Sequence, residues 1–344
     1  MSRPLRTSTG FAMIALMAAL GLHGCSGAPS SSPRTPFNPY AGTGLQLQAP
    51  PSAACLTAPC IYVTDRNANA ITVYAKNANG DVKPLKTISG ANTGLNSPVG
   101  LALDSGRELA VANYNSYSVT VYAAGANGNV APVRTISGGT TQLVAPVGIT
   151  FDAAAESYVA NWSGNSLTVY AANANGNVAP IRTVSGSNTQ LFEPDGIAFD
   201  AGGNTYVSNY ATSAVLVFAA GANGNATPIR IITGSKTGLS FPSAVVLDAK
   251  GRIYVTNFGN NSVTVFAATA NGNVKPIRTI AGANTGLNVP SGVALDSKRN
   301  VYVSNRSGNT VTVYAATANG NVAPIRTISG VKTGLNGPSG IAVH

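Results

Sequence analysis

Short apolar runs separated by Gly, Asn and Pro recur along the chain at a fixed interval of 48 residues. Each interval holds four runs rich in β-branched and aromatic residues, as at 292–296, 301–305, 311–315 and 324–328, and such runs are typical of β-strands. No segment keeps a 3.6-residue period, so we expect almost no helix. Two proline series mark the interval: Pro98, Pro146, Pro194, Pro242, Pro290 and Pro338, and Pro84, Pro132, Pro180, Pro228, Pro276 and Pro324.

A four-stranded unit repeated in this way predicts an all-β fold, a six-bladed β-propeller with four antiparallel strands per blade. The N-terminal copy begins at its second strand (61–65), and the C-terminal copy ends at its first (340–344). We expect the C-terminal strand to pair with the N-terminal three, which closes the ring and removes exposed sheet edges. The third and fourth strands are joined through Ala-Asn-Gly-Asn, as at 318–321, and Asn-Gly predicts a type I′ hairpin turn there.

The second strand of several copies carries a family signature. It reads Tyr-Val, then Thr or Ser, then Asn or Asp, and resembles YVTN-type β-propeller repeats, relatives of the NHL repeats, over residues 61–344. The copies at 109–113 and 158–161 depart from it. The resemblance implies the propeller fold but not a function, because such propellers host unrelated activities. The matching copies are 62–65, 206–209, 254–257 and 302–305.

The first 25 residues are typical of an export signal, with an apolar run at 11–22 that is too short to span a bilayer. The sequence that ends at Cys25 resembles a bacterial lipobox, which implies lipidation of Cys25. His23 departs from the lipobox pattern, so simple secretion is the alternative. Ser26 is not an acidic retention residue, which by resemblance favours the outer membrane.

The chain is therefore divided into a lipoprotein-like signal peptide (1–25), a disordered Pro- and Ser-rich tether (26–56) and the propeller (57–344). We expect an extracytoplasmic protein, anchored to the membrane at Cys25 as an outer-membrane lipoprotein facing the periplasm or the surface, or else secreted. Outside the cytoplasm, Cys55 and Cys60 are a candidate disulfide. A pair of free thiols is the alternative.

Charge excludes one class of partner. Only 9% of residues are charged, and the formal net charge is +10. Cations at one repeated position are spaced around the ring instead of clustered, so we expect no nucleic-acid binding and an outer rim of charges in water. The repeated Asp and Asn are interpreted as turn and cap residues. The repeated cations are Lys86, Arg134, Arg182, Arg230, Arg278 and Arg326.

The inventory of catalytic residues is thin. The chain has two histidines, His23 and His344, so a Ser-His-Asp triad or a histidine-based zinc site is excluded. Streptogramin-lyase-like propellers, which this repeat resembles, rely on histidine. The sequence therefore predicts that the protein is not an enzyme but a non-catalytic binding or scaffolding module for a protein, peptide or glycan at the cell envelope. No cofactor is expected, a divalent cation is left open, and the oligomeric state is undetermined.

Two alternatives remain. One is a hydrolase or lyase that uses Glu193 and Asp195, with or without a metal, as in the calcium-dependent propellers that the fold resembles. The other is a surface-layer or adhesion protein.

The symmetry of the repeat is broken at one ring of positions, and ligands should bind there. The residue after the second strand differs from blade to blade, and Glu193 and Asp195 lie across the axis from Arg66. We predict a ligand face with an aromatic arc, a cationic side and an acidic side. The alternative is that the aromatics only pack over neighbouring blades and the charges are solvated. The six ring residues are Arg66, Tyr114, Trp162, Tyr210, Phe258 and Arg306.

Overall fold

The computed structural model describes residues 59–344, so the predicted signal, tether and lipidation site at Cys25 lie outside the described residues. Within 59–344 there are 24 strands, five single-turn 3₁₀ helices and no α-helix. The strands are β1 (Cys60–Asp65), β2 (Ala70–Ala75), β3 (Lys86–Ser89), β4 (Pro98–Leu103), β5 (Leu109–Asn113), β6 (Ser118–Tyr122), β7 (Arg134–Ser137), β8 (Pro146–Phe151), β9 (Ser157–Asn161), β10 (Ser166–Tyr170), β11 (Arg182–Val184), β12 (Pro194–Phe199), β13 (Thr205–Asn209), β14 (Ala214–Phe218), β15 (Arg230–Ile232), β16 (Pro242–Leu247), β17 (Ile253–Asn257), β18 (Ser262–Phe266), β19 (Arg278–Ala281), β20 (Pro290–Leu295), β21 (Val301–Asn305), β22 (Thr310–Tyr314), β23 (Arg326–Ile328) and β24 (Pro338–Val343). The 3₁₀ helices are Arg66–Ala68, Ala91–Thr93, Gly139–Thr141, Ser187–Thr189 and Ala283–Thr285.

The strands form six four-stranded antiparallel sheets, which confirms the predicted six-bladed propeller. Blade 1 has the order β24-β1-β2-β3, and blades 2 to 6 each take the next four strands in turn. Strand β24 pairs with β1, for example Val343 with Ile61 and Ile341 with Val63. The predicted ring closure is therefore confirmed, and the first strand of each blade lies nearest the axis, next to its counterparts.

The hydrophobic core is divided into six layers, one between each pair of adjacent blades. A tyrosine at the end of the third strand shows how hydrogen bonds stabilise one of these core layers. Tyr122 of blade 2 is fully buried, and its hydroxyl donates at 2.6 Å to the carbonyl of Thr93, in the segment that links blade 1 to blade 2. A buried tyrosine hydroxyl needs such a partner, so the blades are joined by hydrogen bonds as well as by apolar packing.

The predicted hairpin turn between the third and fourth strands is wrong. Residues 123–133 separate β6 from β7, and of the pair Asn127-Gly128 only the glycine has a positive φ, 77°, whereas a type I′ turn needs both. Gly128 instead pairs with Ile88 in the outer strand of blade 1. The Asn-Gly segment thus covers the outer edge of the preceding blade, and a covered edge resists pairing with other chains.

The outer cations are not the freely solvated charges that the sequence predicted. Lys86 is buried. The guanidinium of Arg230 lies 5.3 Å from the ring centre of Tyr206 and donates to its hydroxyl, and Arg182 donates to Glu156 at 2.5 Å. Long cationic stems pack against aromatic rings while the charge finds a local partner, so these side chains help to hold the rim together.

The repeated Asn at the end of the second strand is a cap, as predicted. Asn113 accepts the amide of Asn96 at 3.2 Å and donates to Thr120 at 3.0 Å. In blade 1 the same place is taken by Asp65, which accepts the hydroxyl of Thr72 at 2.7 Å. Burial raises the pKa of the Asp65 carboxyl to about 7, although its hydrogen bonds act in the opposite direction.

Two further findings concern the ends of the described region. Cys60 is disulfide-bonded, while the other half of the predicted pair, Cys55, lies outside the described residues. Between residues 59 and 344, no helix has the length and hydrophobicity needed to cross a membrane.

Candidate functional site

Six side chains surround the axial opening on one face of the propeller. Each follows directly on the second strand of its blade, and its backbone amide donates to the carbonyl of the residue that precedes the first strand. The distance is 3.1 Å from Trp162 to Ala145 and from Tyr210 to Glu193. The backbone is therefore held in the same way in every blade, while the side chains differ. This outer ring consists of Arg66, Tyr114, Trp162, Tyr210, Phe258 and Arg306.

The residue that supplies this carbonyl has a left-handed backbone conformation in all six blades. Gly337 is the glycine among them, whereas Phe241 and Val289 have φ values of 45° and 54°. Bulky or β-branched side chains are disfavoured there. A hydrogen bond from the preceding blade holds the turn, as from the amide of Val289 to Asn261 at 2.7 Å. These loops are consequently fixed from two sides.

A second, inner ring lies below the first and is formed by the second residue of each innermost strand. Val99 and Val147 occupy it in blades 2 and 3, and Asp195 occupies it in blade 4. Blades 5, 6 and 1 contribute serines. The two rings together line a cavity of about 160 Å³ at the mouth of the axial channel. The serines of the inner ring are Ser243, Ser291 and Ser339.

Asp195 is the carboxylate of this cavity. Its Oδ2 accepts the hydroxyl of Ser243 at 2.8 Å. Burial raises the pKa of Asp195 to about 7, while the Ser243 hydrogen bond and the charges of Arg66 and Arg306 act to lower it. A carboxyl with a pKa near neutrality can accept and return a proton under ordinary conditions.

Arg66 and Arg306 form the cationic side, on blades 1 and 6. Arg66 donates from Nε to the hydroxyl of Ser97 at 2.7 Å, and its guanidinium lies 4.6 Å from the ring centre of Tyr114. Burial and the nearby charge of Arg306 both lower the pKa of Arg66. The two guanidinium groups are thus close enough to repel each other, and an anionic or carbonyl oxygen placed between them would relieve that repulsion.

The aromatic arc runs along blades 3 to 5. Tyr210 is at its centre, with its ring centre 4.6 Å from that of Trp162 and 5.8 Å from that of Phe258. The ring of Phe241 extends the arc outward, 5.0 Å from Tyr210. Burial and the neighbouring carboxyls of Asp195 and Glu193 raise the pKa of Tyr210, so its hydroxyl remains protonated and can donate a hydrogen bond.

Of the eight residues that the sequence singled out, the structure brings seven to the lining of this cavity, and the exception is Glu193. The role of Glu193 is played by its backbone. Its carbonyl accepts the amide of Tyr210 at 3.1 Å, and its own amide donates to Asn165 at 2.8 Å. The sequence grouped Glu193 with Asp195 because the two flank Pro194, but Glu193 lies before β12 with a φ of 53°, whereas Asp195 lies within the strand.

Sequence reasoning missed the three inner-ring serines and Phe241. A signal for the serines was present, since each directly follows a proline of the 48-residue series, in register with Asp195. Treating Asp195 as one member of a six-membered ring would have found them. Phe241 carried no such signal, because its contact with Tyr210 depends on a left-handed backbone that sequence alone does not indicate.

Groups for metal or histidine chemistry are not gathered at this mouth. Within the described part of the chain, no three His, Cys, Asp or Glu side chains come together in a way that could hold a metal ion. His344 follows β24 and donates its amide to Cys60 at 3.0 Å. It is not part of the cavity lining.

Residues 46–334 match the model of the family described as "Lactonase, 7-bladed beta-propeller". The chain belongs to this family. Its ring nevertheless has six blades, one fewer than the family description states, because each 48-residue unit contributes one sheet and the last strand closes the first blade. No curated protein matches the chain significantly.

Solved structures support the fold. A protein of unknown function from Bacteroides caccae has 12% identity and a TM-score of 0.62, with 83% of this chain and 99% of that chain covered. A chain of a nidogen/laminin complex has 17% identity and a TM-score of 0.61, with 83% and 98% covered. Virginiamycin B lyase from Staphylococcus aureus has 12% identity and a TM-score of 0.53, with 75% and 83% covered.

The prediction that the protein is not an enzyme is wrong, because the chain belongs to a family named for lactonase activity. The error came from giving the scarcity of histidine more weight than the carboxylate alternative at Asp195. Histidine is one way to obtain a pKa near 7, and burial of a carboxylate is another. The alternative of a carboxylate-based hydrolase or lyase is therefore better supported than a non-catalytic binding module.

Proposed function

We propose that this protein is a hydrolase of lactones or related esters and that the reaction takes place at the axial mouth. The observation that carries the proposal is Asp195, a partly buried carboxyl with a pKa of about 7 in a cavity that also contains Arg66 and Arg306. Family membership supplies the reaction class. The NHL- and YVTN-like features of the repeat support the scaffold and leave the reaction undetermined.

In this proposal Asp195 is the general base. It accepts a proton from a water molecule as the water oxygen bonds to the acyl carbon, and the negative charge that develops on the carbonyl oxygen is stabilised by Arg66 or Arg306. The bond between the acyl carbon and the ring oxygen then breaks. The leaving oxygen takes the proton from Asp195, and the product is a hydroxy acid.

Ser243 has a positioning role. Its hydroxyl donates to Asp195 at 2.8 Å, which fixes one carboxylate oxygen and leaves the other to accept a proton. The hydrogen bond also opposes the effect of burial and keeps the pKa of Asp195 from rising further. Removing that hydroxyl should therefore move the pH dependence of the reaction upward, as well as lower the rate.

The test is a hydrolysis assay of the purified protein on a panel of γ- and δ-lactones and aryl esters. Asp195→Asn should lower kcat by about 100-fold or more, the usual contribution of a general base. Glu193→Gln is the matched control, because it removes a carboxylate from the same loop outside the cavity lining. Full activity in Asp195→Asn would refute the proposed mechanism. Product masses show whether water was added, as in hydrolysis, or a group was eliminated.

We also propose, on the sequence alone, that the protein is exported and anchored by a lipid at Cys25 in the outer membrane, with simple secretion as the alternative. Expression of the full chain and of Cys25→Ser in a Gram-negative host, followed by membrane fractionation and mass analysis of the N-terminus, tests this. A diacylated Cys25 in the outer-membrane fraction supports the anchor. An unmodified N-terminus in the culture medium supports secretion.

A further inference from the structure

The residues one or two positions before each first strand differ in polarity around the axial mouth. Three large apolar side chains are exposed on blades 3, 4 and 5: Val144 is 36% exposed, Phe192 52% and Phe241 45%. We call these three residues the apolar shelf. At the position that Val144 and Phe192 occupy, blades 1, 2 and 6 carry polar residues instead. These are the exposed Asn96, Asn288 and Asn336.

Phe241 connects the apolar shelf to the cavity. The ring of Phe241 lies 5.0 Å from that of Tyr210, and Tyr210 lies 4.6 Å from Trp162, and both Tyr210 and Trp162 line the cavity. An apolar track therefore leads from the inside of the mouth to the surface over blades 3 to 5. On the opposite side, the corresponding path passes Arg66 and Arg306.

The unfavourable backbone conformation of Phe241 is further evidence that its exposed ring has a function. The residue has a φ of 45°, a left-handed conformation in which blade 1 has Gly337. A large side chain is disfavoured in that region relative to glycine. The conformation is held by the hydrogen bond from its amide to Ser213 at 3.2 Å, so the ring is displayed in spite of the local cost.

The size of the cavity indicates whether a small molecule or a protein occupies the apolar shelf. The cavity measures about 160 Å³, whereas pockets that enclose a whole ligand measure about 300 to 1,000 Å³. Only the reacting end of a substrate fits inside, and the rest must lie on the surrounding face. Three side chains are also far fewer than the 20 to 30 residues per side of a typical stable protein interface. A small molecule therefore fits the shelf better than a protein does.

We propose that the substrate carries an apolar acyl or aryl arm that lies on Val144, Phe192 and Phe241 while its ester carbonyl enters the cavity beside Asp195. This inference rests on the proposed function and adds the substrate class, an amphiphilic lactone or ester with one polar reacting end. The side of the mouth that carries the arginines and asparagines takes the polar substituents, and the aromatic side takes the arm.

The test uses binding as well as turnover. Trp162 is the one tryptophan of the chain and lines the cavity, so its fluorescence reports occupancy. The probes are γ-lactams with alkyl side chains of two to eight carbons, which resemble lactones but resist hydrolysis. A fully buried methylene contributes about 0.8 kcal/mol, or about fourfold in Kd. On a half-exposed shelf we expect Kd to fall about twofold for each added methylene.

The double variant Phe192→Asn with Phe241→Gly replaces the two aromatic members of the shelf with residue types found at the equivalent positions of other blades. It should abolish the chain-length dependence while the shortest lactam binds with nearly unchanged Kd. Asn288→Ala is the control, an exposed change on the polar side that should leave the dependence intact. Circular dichroism melting of each variant establishes that it is folded.

The outcomes separate the two proposals. A Kd independent of chain length in the native protein, or a dependence that survives the double variant, overturns the shelf. If chain length matters for binding but Asp195→Asn hydrolyses lactones normally, the proposed mechanism fails and the shelf stands. A native dimer that becomes a monomer in the double variant would show that a second copy covers the shelf, and would also overturn the inference.

Discussion

The turns that follow the first strands and the axial mouth of this propeller are built from the same repeat, yet only the turns retain its symmetry. In blades 2 to 6, an aspartate after the first strand closes the turn to the second strand by accepting a backbone amide four residues later, for example Asp200 from Asn204 at 2.9 Å and Asp296 from Asn300 at 2.8 Å. At the mouth, no such uniformity remains among the side chains. Valine, aspartate and serine occupy equivalent inner positions.

The difference teaches where to look in a repeat protein. A residue that recurs in every blade solves a problem that every blade shares, such as closing a turn or capping a strand. A residue that differs between equivalent positions does not perform such a shared structural role. Asp195 and Asp65 are the two informative cases, since each is a carboxyl whose pKa is raised to about 7 in a place where other blades have an uncharged residue.

The largest expected effect concerns the pH dependence of activity at the mouth. Burial raises the pKa of Asp195 to about 7, and a general base must be deprotonated. The value of kcat/KM should therefore rise with pH and level off above about 7, and at pH 5 it should be about 100-fold below the plateau. A pH–rate profile on a neutral lactone measures this. A flat profile between pH 5 and 8 would contradict the assignment of Asp195.

The next effect concerns the close packing of first strands at the axis. A Cβ added at Gly148 would collide with the backbone carbonyl oxygen of Asp195 in the next blade. We expect Gly148→Ala to lower the free energy of unfolding by about 1 to 3 kcal/mol, the usual cost of overpacking. Blade 5 has Ala244 at the same position, so Ala244→Gly is the matched control. Chemical denaturation of both variants decides whether the collision matters.

An effect that is smaller per pH unit is expected at Asp65, where the other five blades have asparagine. Its pKa is raised from 3.8 to about 7 in the folded protein, so between those values the folded state binds more protons than the unfolded state. Stability should fall as the pH rises through this window, by at most about 1.4 kcal/mol per pH unit. Asp65→Asn should remove this loss.

The Asp65→Asn variant should accordingly be more stable than the native protein at pH 8 and lose that advantage toward pH 4. Melting temperatures at the two pH values measure the difference. The hydrogen bonds can be retained, because Asn113 makes the equivalent contact to Thr120 with its amide. An equal Tm difference at both pH values would show that the ionisation of Asp65 is not the cause.

The smallest effect is a shift of the acid limb of the rate profile. Arg66 and Arg306 act to lower the pKa of Asp195, so removing one charge should raise it. For Arg66→Met we expect an upward shift of about half a pH unit, equivalent to about 0.7 kcal/mol. The same variant made at Arg326, on the outer rim, is the control and should not move the limb.

The sequence was sufficient for the scaffold and insufficient for the chemistry. Strand positions followed from the 48-residue period because alternating β-branched residues and turn residues are local signals. The Asn-Gly turn was misassigned because its partner, Ile88 for Gly128, lies in another blade. The partial burial of Arg230 against Tyr206 was missed for the same reason.

The candidate site was found in outline because broken symmetry is visible in sequence. Its chemistry was not, because the pKa of Asp195 depends on burial that only the closed ring creates. The contribution of Glu193 was likewise misjudged, since a backbone contact to Tyr210 has no side-chain signature. Features that depend on contacts between neighbouring blades could therefore not be predicted from the sequence of a single repeat.

The pairing of β24 with β1 also sets the order in which the molecule can be completed. Thr64 in β1 accepts the amide of Gly340 at 2.8 Å across 276 residues of chain, so the first blade to leave the ribosome is the last to acquire its innermost strand. Until residue 343 has been made, β1 has an unpaired edge and the axial mouth has no Ser339. Contacts of such long sequence separation form slowly, so a chaperone that protects the open ring before closure would serve this protein during its synthesis.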